Sequence, residues 1–194
     1  MTTDPHPWAA ELDSLHAQLW TRLTRGAHDH RAPARHPTLA TVDAAGRPQA
    51  RTVVLRDADP EAGTLTLYTD RHSAKVTELR ANPMATLHVW DAAVHLQIRI
   101  EAEVTIDTQA TPGAEIASLW ARLPERSRYA YSSTATPGQP IPEALAYTKT
   151  PDSAAFARLR LAVRAIDALQ LGRDHHRRAR FERCDGWTGK WLVP

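Results

Sequence analysis

The sequence predicts an α+β protein built on a small β-barrel. Three observations carry that reading. About seven segments alternate or run apolar over four to eight residues, as strands do. Most follow one another through short Asp-, Gly- and Pro-containing turns, which favours antiparallel neighbours. Helical periodicity surfaces only at intervals between them, and sheets of this size commonly close to remove their edges. The 194 residues suit a single domain over 1–194 with a real core. At 42% hydrophobic and 24% charged, the composition is that of an ordered globular chain.

The elements follow in order. Trp8, Leu12, Leu15, Leu19 and Leu23 recur every three or four positions, predicting an amphipathic helix over about 7–25 with Pro7 in its first turn. Gly26 to Pro37 reads as a polar loop. Strands are expected at Thr38–Val42, Gln49–Arg56 and Thr64–Thr69, separated by Asp43–Pro48 and Asp57–Gly63. Ser73 reads as the N-cap of a short helix to Arg80, buried through Val76 and Leu79 and stopped by Asn82-Pro83. Met84–Trp90 and Val94–Ile106 form two more strands. Thr111-Pro112 and Thr150-Pro151 each pair a capping hydroxyl with a first-turn proline, predicting helices over 112–122 and 151–158. They bracket a long loop, 124–149, in a helix-loop-helix insertion over about 111–158. Leu159–Leu171, Arg178–Cys184 and Trp187–Val193 complete the sheet, the last two around Asp185-Gly186.

Composition excludes several classes. No apolar run reaches the length of a membrane helix, and the start of the chain lacks the basic-then-apolar layout of a signal peptide, so a cytoplasmic protein is expected. A lone Cys184 leaves no internal disulfide and no thiolate zinc cage. His28, His30 and His36 lack companions at ligand spacing and read as a solvated loop; no metal is expected. Three of the 24 basic residues are lysines and the rest arginines, a skew that GC-rich coding explains as well as anion recognition does. A net charge of +2 gives little footprint for nucleic acid, and none is expected as a partner. Neither a Gly-x-Ser-x-Gly elbow nor a glycine-rich nucleotide loop is present. Trp8 and Trp20 read as packing residues of the first helix, and Trp187 and Trp191 as sharing one face. Arg178, Arg180 and Glu182 alternate onto a common face, as a pocket wall or an exposed strand.

The chemistry concentrates between Arg51 and Lys75. A basic residue stands at each end of one strand (Arg51, Arg56), a second strand ends Tyr68-Thr69, and a helix opens Ser73-Ala74-Lys75. A helix N-terminus offers free amides and the positive end of the dipole. Lys75 opposes that dipole unless an anion lies before it. Arg51, Thr69, Ser73 and Lys75 could surround a phosphate, or remain a solvated lysine and a sheet-edge arginine.

Arg51-Thr52-Val53-Val54-Leu55-Arg56, Tyr68-Thr69, Ser73-Ala74-Lys75-Val76 with Asn82-Pro83, and Gln97 within His95–Ile100 resemble the pyridoxamine-phosphate oxidase family of FMN-binding split β-barrels. The likeness runs from about Pro37 to Val104 and resumes over Arg178–Pro194. It implies an antiparallel split β-barrel with peripheral helices, FMN as cofactor, and a homodimer with each flavin between two subunits. Carried over by position, Arg51, Thr69 and Lys75 would face the FMN phosphate, with Tyr68 and Ser73 beside them. Backbone groups of Thr52, Val53, Val54 and Leu55 would meet the polar edge of the ring, and Gln97 would lie near it.

The departures cluster at the substrate side. Ala74 stands where an arginine usually precedes the lysine. Arg56 replaces a substrate-contacting lysine. Of the family's tyrosine, arginine and serine before the loop, Ser127 is the one kept, with Arg122 and Arg126 nearby. No Gln-Ser pair occurs between Tyr131 and Gln139, Gln170 holds the place of a ring-side tryptophan, and the Arg-x-His pair reads His176-Arg177-Arg178. Arg56, Ser127 and Arg178 are the expected substrate contacts, with no catalytic residue assigned. The expectation is an FMN-dependent oxidoreductase moving two electrons between a small organic substrate and FMN. The alternatives are a flavin carrier or sensor without turnover, and a flavin-free barrel whose basic strand binds nucleic acid.

Overall fold

The protein is described by a computed structural model over residues 6–194; the part of the targeting-signal reading that falls on residues 1–5 lies outside it. The strands are β1 Thr38–Val42, β2 Pro48–Thr52, β3 Leu55–Asp59, β4 Thr64–Asp70, β5 Met84–Asp91, β6 Leu96–Asp107, β7 Phe156–Gln170, β8 Arg177–Glu182 and β9 Gly189–Leu192. The α-helices are α1 Leu12–His28, α2 Ala74–Ala81, α3 Ile116–Arg122 and α4 Glu125–Arg128.

All nine strands join one antiparallel sheet in the order β2-β1-β5-β6-β7-β4-β3, with β8 added to β7 and β9 to β8. Its end strands, β2 and β3, are consecutive in the chain and separated only by Val53 and Val54. Two edges tethered that closely force the sheet to curl until they meet. Nothing is laddered across the join: β2 pairs with β1 and β3 with β4. This is a barrel split at Val53-Val54, and the α+β split-barrel expectation holds.

The 15-residue β7 makes the branch. Its first half pairs with β4 from Phe156 to Ala162, its second half with β8 from Ala165 to Gln170, while β6 follows both. Alternate residues of these strands fill the interior, among them Leu39, Leu67, Leu87, Ile98, Ile100, Leu161, Val163 and Phe181. Leu15, Leu19, Leu23 and Trp20 of α1 close one end of that core. Each such leucine contributes about 1.5–3 kcal/mol on burial.

Several expectations change. Gln49–Arg56 is two strands, because the chain leaves one side of the split and joins the other at Val53-Val54. The first helix begins later and runs on to His28; Pro7–Ala9 is a separate 3-10 turn, set off by the extended Glu11. α1 passes so close to Ala34 that a Cβ on Gly26 would lie 2.7 Å from that residue's backbone. Of the predicted 112–122 helix only Ile116–Arg122 forms, after a turn through Gly113. No helix forms at 151–158. Asp152 instead accepts the Ala154 and Ala155 amides in a turn, and β7 starts at Phe156, whose fully buried ring belongs to a second small core with Tyr131 and Ile116. Trp187 and Trp191 do not share a face: Trp187, at φ 64°, packs on His16 and Trp20, whereas Trp191 is exposed.

Candidate anion-binding site

The end of β4 and the start of α2 build a polar corner at one mouth of the barrel. Thr69 and Ser73 are both buried, with their hydroxyls 3.2 Å apart. Ser73 occupies the N-cap position, but its hydroxyl does not cap α2; it donates to the Asp70 carbonyl at 2.7 Å. Lys75 Nζ donates to Thr69 Oγ1 at 3.1 Å.

Arg51 reaches this corner from β2. It lies opposite Leu39, on the inward face of the sheet, beside β1, on which α2 packs. Its Nη2 donates to Glu78 Oε2 at 2.8 Å and its Nη1 to Thr41 Oγ1, while the Thr41 hydroxyl donates to the same Glu78 oxygen at 2.5 Å. Burial pulls the Lys75 ammonium below its usual pKa, and the nearby Arg51 charge pulls it further; Asp70 and Glu78 act the other way. Two cations thus press on each other around buried hydroxyls and the amides of a helix start. An anionic group fits there, because it would relieve both the burial and the repulsion.

Asp70 ties this corner to the long loop. Its carboxylate accepts the His72 amide at 2.8 Å and the Ser132 amide at 2.9 Å, and the Arg71 amide donates to the Ala155 carbonyl at 2.8 Å.

The other predicted positions are spread along the wall. Thr52, Thr38, His88 and Arg99 align across β2, β1, β5 and β6, on the outer face. His88 Nε2 and Gln97 Oε1 lie 3.3 Å apart on that face. The Val53 amide is already given to the Pro37 carbonyl, and the Leu55 carbonyl accepts Arg35 Nη1 at 2.8 Å. Val54 stands in neither ladder. The polar backbone expected over 52–55 is therefore partly used within the chain, with the Val54 peptide as its open part.

Arg56 is the extra residue of a β-bulge in β3: Leu55 faces Leu67 and Asp57 faces Thr66. The bulge turns its guanidinium over the Tyr68 ring, 5.7 Å from the centroid, and against the Tyr131 hydroxyl. Its Nε is buried without a partner. Burial raises the hydroxyl pKa of Tyr68 and of Tyr131, and Arg56 opposes both shifts.

Ser127 sits in α4, half-buried, and donates its amide to Pro124. Arg178 is clamped by the buried Asp167 through its Nε and its Nη2, the latter at 2.9 Å. No contact joins Arg56, Ser127 and Arg178 within the described residues of this chain. Arg178, Arg180 and Glu182 do share one face, as alternation predicts: Arg180 bridges Glu101 at 2.8 Å and Glu182 at 2.9 Å. Gln170 is buried, aligned with the core residue Leu96.

Thr41, Glu78, Asp70 and Tyr131 belong to the site without having been expected there. Only Glu78 left a signal in the sequence, three positions after Lys75 and so on the same face of the helix.

A split barrel with a half-buried cationic corner at a strand-to-helix turn defines a class of protein suited to an anionic ligand. The chain matches the family described as pyridoxamine 5'-phosphate oxidase, FMN-binding domain, over residues 6–108. A pyridoxine/pyridoxamine 5'-phosphate oxidase of Anaeromyxobacter dehalogenans is 30% identical over 214 residues, covering 98% of this chain and 100% of that enzyme. The protein of the same description from Microcystis aeruginosa is 44% identical over 82 residues, which span 42% of this chain and 37% of that one. Among solved structures, a pyridoxamine 5'-phosphate oxidase-related, FMN binding protein of Nostoc punctiforme superposes with TM-score 0.76 at 24% identity, covering 100% of both chains. PhzG of Burkholderia lata, in complex with tetrahydrophenazine-1-carboxylic acid, gives 0.72 at 21% identity, covering 100% of this chain and 98% of that one. The chain belongs to the pyridoxamine 5'-phosphate oxidase FMN-binding family, and FMN is the cofactor of that family's domain. No helix among the described residues is long and apolar enough to cross a membrane.

Proposed function

We propose that this protein is an FMN-dependent oxidoreductase that moves two electrons between a small organic substrate and its flavin. The observation that carries the reading is the Lys75 hydrogen bond to the buried Thr69 hydroxyl, beside that of Ser73, with the Arg51 charge close enough to act on Lys75. These four residues hold the flavin phosphate, with Tyr68 behind them. Thr52, Val53, Val54 and Leu55 run along the ring's polar edge through their backbone, and Gln97 lies by the ring. Bound FMN supplies hydride acceptance; the chain's own residues fix where that chemistry occurs and shield it from water. A second copy of the chain covers the outer wall at Thr52, His88 and Gln97, so the working unit is a homodimer with flavin between subunits.

The substrate side is rebuilt around Arg56. Its buried, unpartnered Nε between Tyr68 and Tyr131 suits an anionic substituent on a flat ring. The vitamin phosphates named for the enzyme relatives and the carboxylic acid bound to PhzG are both of that kind. Ser127 and Arg178 complete the contact once two subunits meet.

Replacing Arg51 and Lys75 together by alanine tests the cofactor assignment. The expected product keeps its far-UV circular dichroism and purifies colourless. Stoichiometric FMN in the double variant would move the site elsewhere. An anaerobic screen of amines, alcohols and nicotinamides for bleaching of the flavin tests turnover. Because the substrate side departs so far from the family pattern, a flavin carrier or sensor is the second reading; a flavin that no donor reduces would select it.

A further inference from the structure

We propose that Glu78 is a resident counter-anion of the phosphate cradle, and that its charge sets how tightly this chain retains a phosphorylated flavin. The proposal rests on the assignment of Arg51 and Lys75 to the flavin phosphate.

Glu78 is buried on α2, close to one helical turn beyond Lys75. Its carboxylate closes a three-membered ring of hydrogen bonds. Arg51 donates to Glu78 and to Thr41, and Thr41 donates to Glu78. The guanidinium that would grip phosphate is therefore already neutralised, in a setting where water screens little. The same balance extends to the whole corner. Arg51 and Lys75 bring two positive charges, and Asp70 and Glu78, the acidic groups acting on Lys75, bring two negative ones. Ala74, exposed at the first position of α2, adds no cation. A dianionic phosphate thus enters a cradle whose nearest charges balance, and shares Arg51 with a fixed carboxylate.

Glu78 has two effects: it aims Arg51 and it opposes the phosphate. The substitution Glu78→Gln separates them. An amide oxygen at that position still accepts from Arg51 and Thr41, so the aim is kept while the charge is removed. Quenching of flavin fluorescence, titrated with the full-length chain after flavin removal, reads the result. FMN should bind about tenfold tighter to the Glu78→Gln variant at low salt, the equivalent of about 1.4 kcal/mol. Riboflavin, which lacks the phosphate, should bind as it does to the unaltered chain. An FMN affinity that is unchanged or weaker, or an equal gain for riboflavin, overturns the proposal.

A second measurement needs no variant. A balanced cradle predicts that FMN affinity of the unaltered chain depends only weakly on ionic strength between about 0.05 and 0.5 M, where screening lengths fall from over 10 Å to a few ångströms. A steep loss with salt overturns the proposal as well. The two assignments fail separately. If Arg51→Ala with Lys75→Ala retains FMN, the phosphate site itself is wrong. If that pair loses FMN while Glu78→Gln changes nothing, only the counter-anion role is wrong.

Discussion

Trp20 donates its indole N–H to Nε2 of His16, 3.2 Å away and one turn earlier on α1. The His16 ring lies against Phe181 and Trp187, with centroids 4.9 and 5.5 Å away. This cluster fastens α1 to the end of the barrel, and it requires an unprotonated Nε2 as acceptor.

Acid should therefore loosen the helix. Burial lowers the His16 pKa from its ordinary 6.5, with Asp13 a smaller opposing influence. The unfolded chain then takes up a proton before the folded one does. The contribution is whole above pH 6.5 and is lost as pH falls through the lower folded value. Loss of the indole bond alone costs about 1 kcal/mol, or about 2–4 °C in Tm for a chain of this size. His16→Gln keeps an acceptor that cannot be protonated, so its Tm should fall less than the unaltered protein's between about pH 7 and 5. Parallel Tm curves for the two proteins would contradict this.

Asp107 should be costly to remove. It is 1% exposed at the end of β6 and receives Arg158 and Arg160 from β7 at 2.8 and 2.7 Å. Burial pushes its carboxyl up, but hydrogen bonds from Arg160 and Arg158 outweigh that and hold it below its ordinary value. Its contribution is present at neutral pH and disappears as pH falls through that lowered value. Asp107→Ala strands two arginines and should lower stability by about 3 kcal/mol in urea denaturation.

Gly26→Ala pits two known effects against each other. Alanine gains about 1 kcal/mol over glycine in a helix interior. The new Cβ would meet the Ala34 backbone at 2.7 Å, which has no flexible end to move aside. Overpacking costs about 1–3 kcal/mol, so a net loss of Tm is expected despite the better helix former.

Ala74→Arg should strengthen cofactor binding. The side chain is exposed beside Lys75 and breaks no contact there. A cation added at that point should lower the FMN dissociation constant several-fold at low salt and much less at about 0.5 M. An effect of equal size on riboflavin would show that the residue acts elsewhere than on the phosphate.

Much of this protein is readable along the chain. Alternation in Thr64–Thr69 and Met84–Trp90 marks β4 and β5, and Asn82-Pro83 stops α2 where it stops. These features depend on neighbours a few residues apart, and local backbone preference reports them directly.

Other features are set by partners far away in sequence. Thr150-Pro151 carries a sound helix-start signal, yet Phe156 is claimed by β4, with Asp70 opposite it, and by a core that includes Tyr131. Sheet pairing and aromatic burial outweigh a capping preference of about 1 kcal/mol. The strand predicted over Gln49–Arg56 breaks because the barrel needs its chain on both sides of the split.

Local patterning was thus enough for most of the strand and helix inventory, whereas the choice of Arg51, Thr69, Ser73 and Lys75 as phosphate residues comes from the family resemblance. It took the folded chain to stand Glu78 and Thr41 against Arg51, and to swing Arg56 through a bulge against Tyr131. The first two contacts join positions 27 and 10 residues apart, the last a pair more distant still, and no short-range preference encodes them. Pairing of β1 with β2, packing of α2 on β1 and the bulge in β3 are what bring these side chains together.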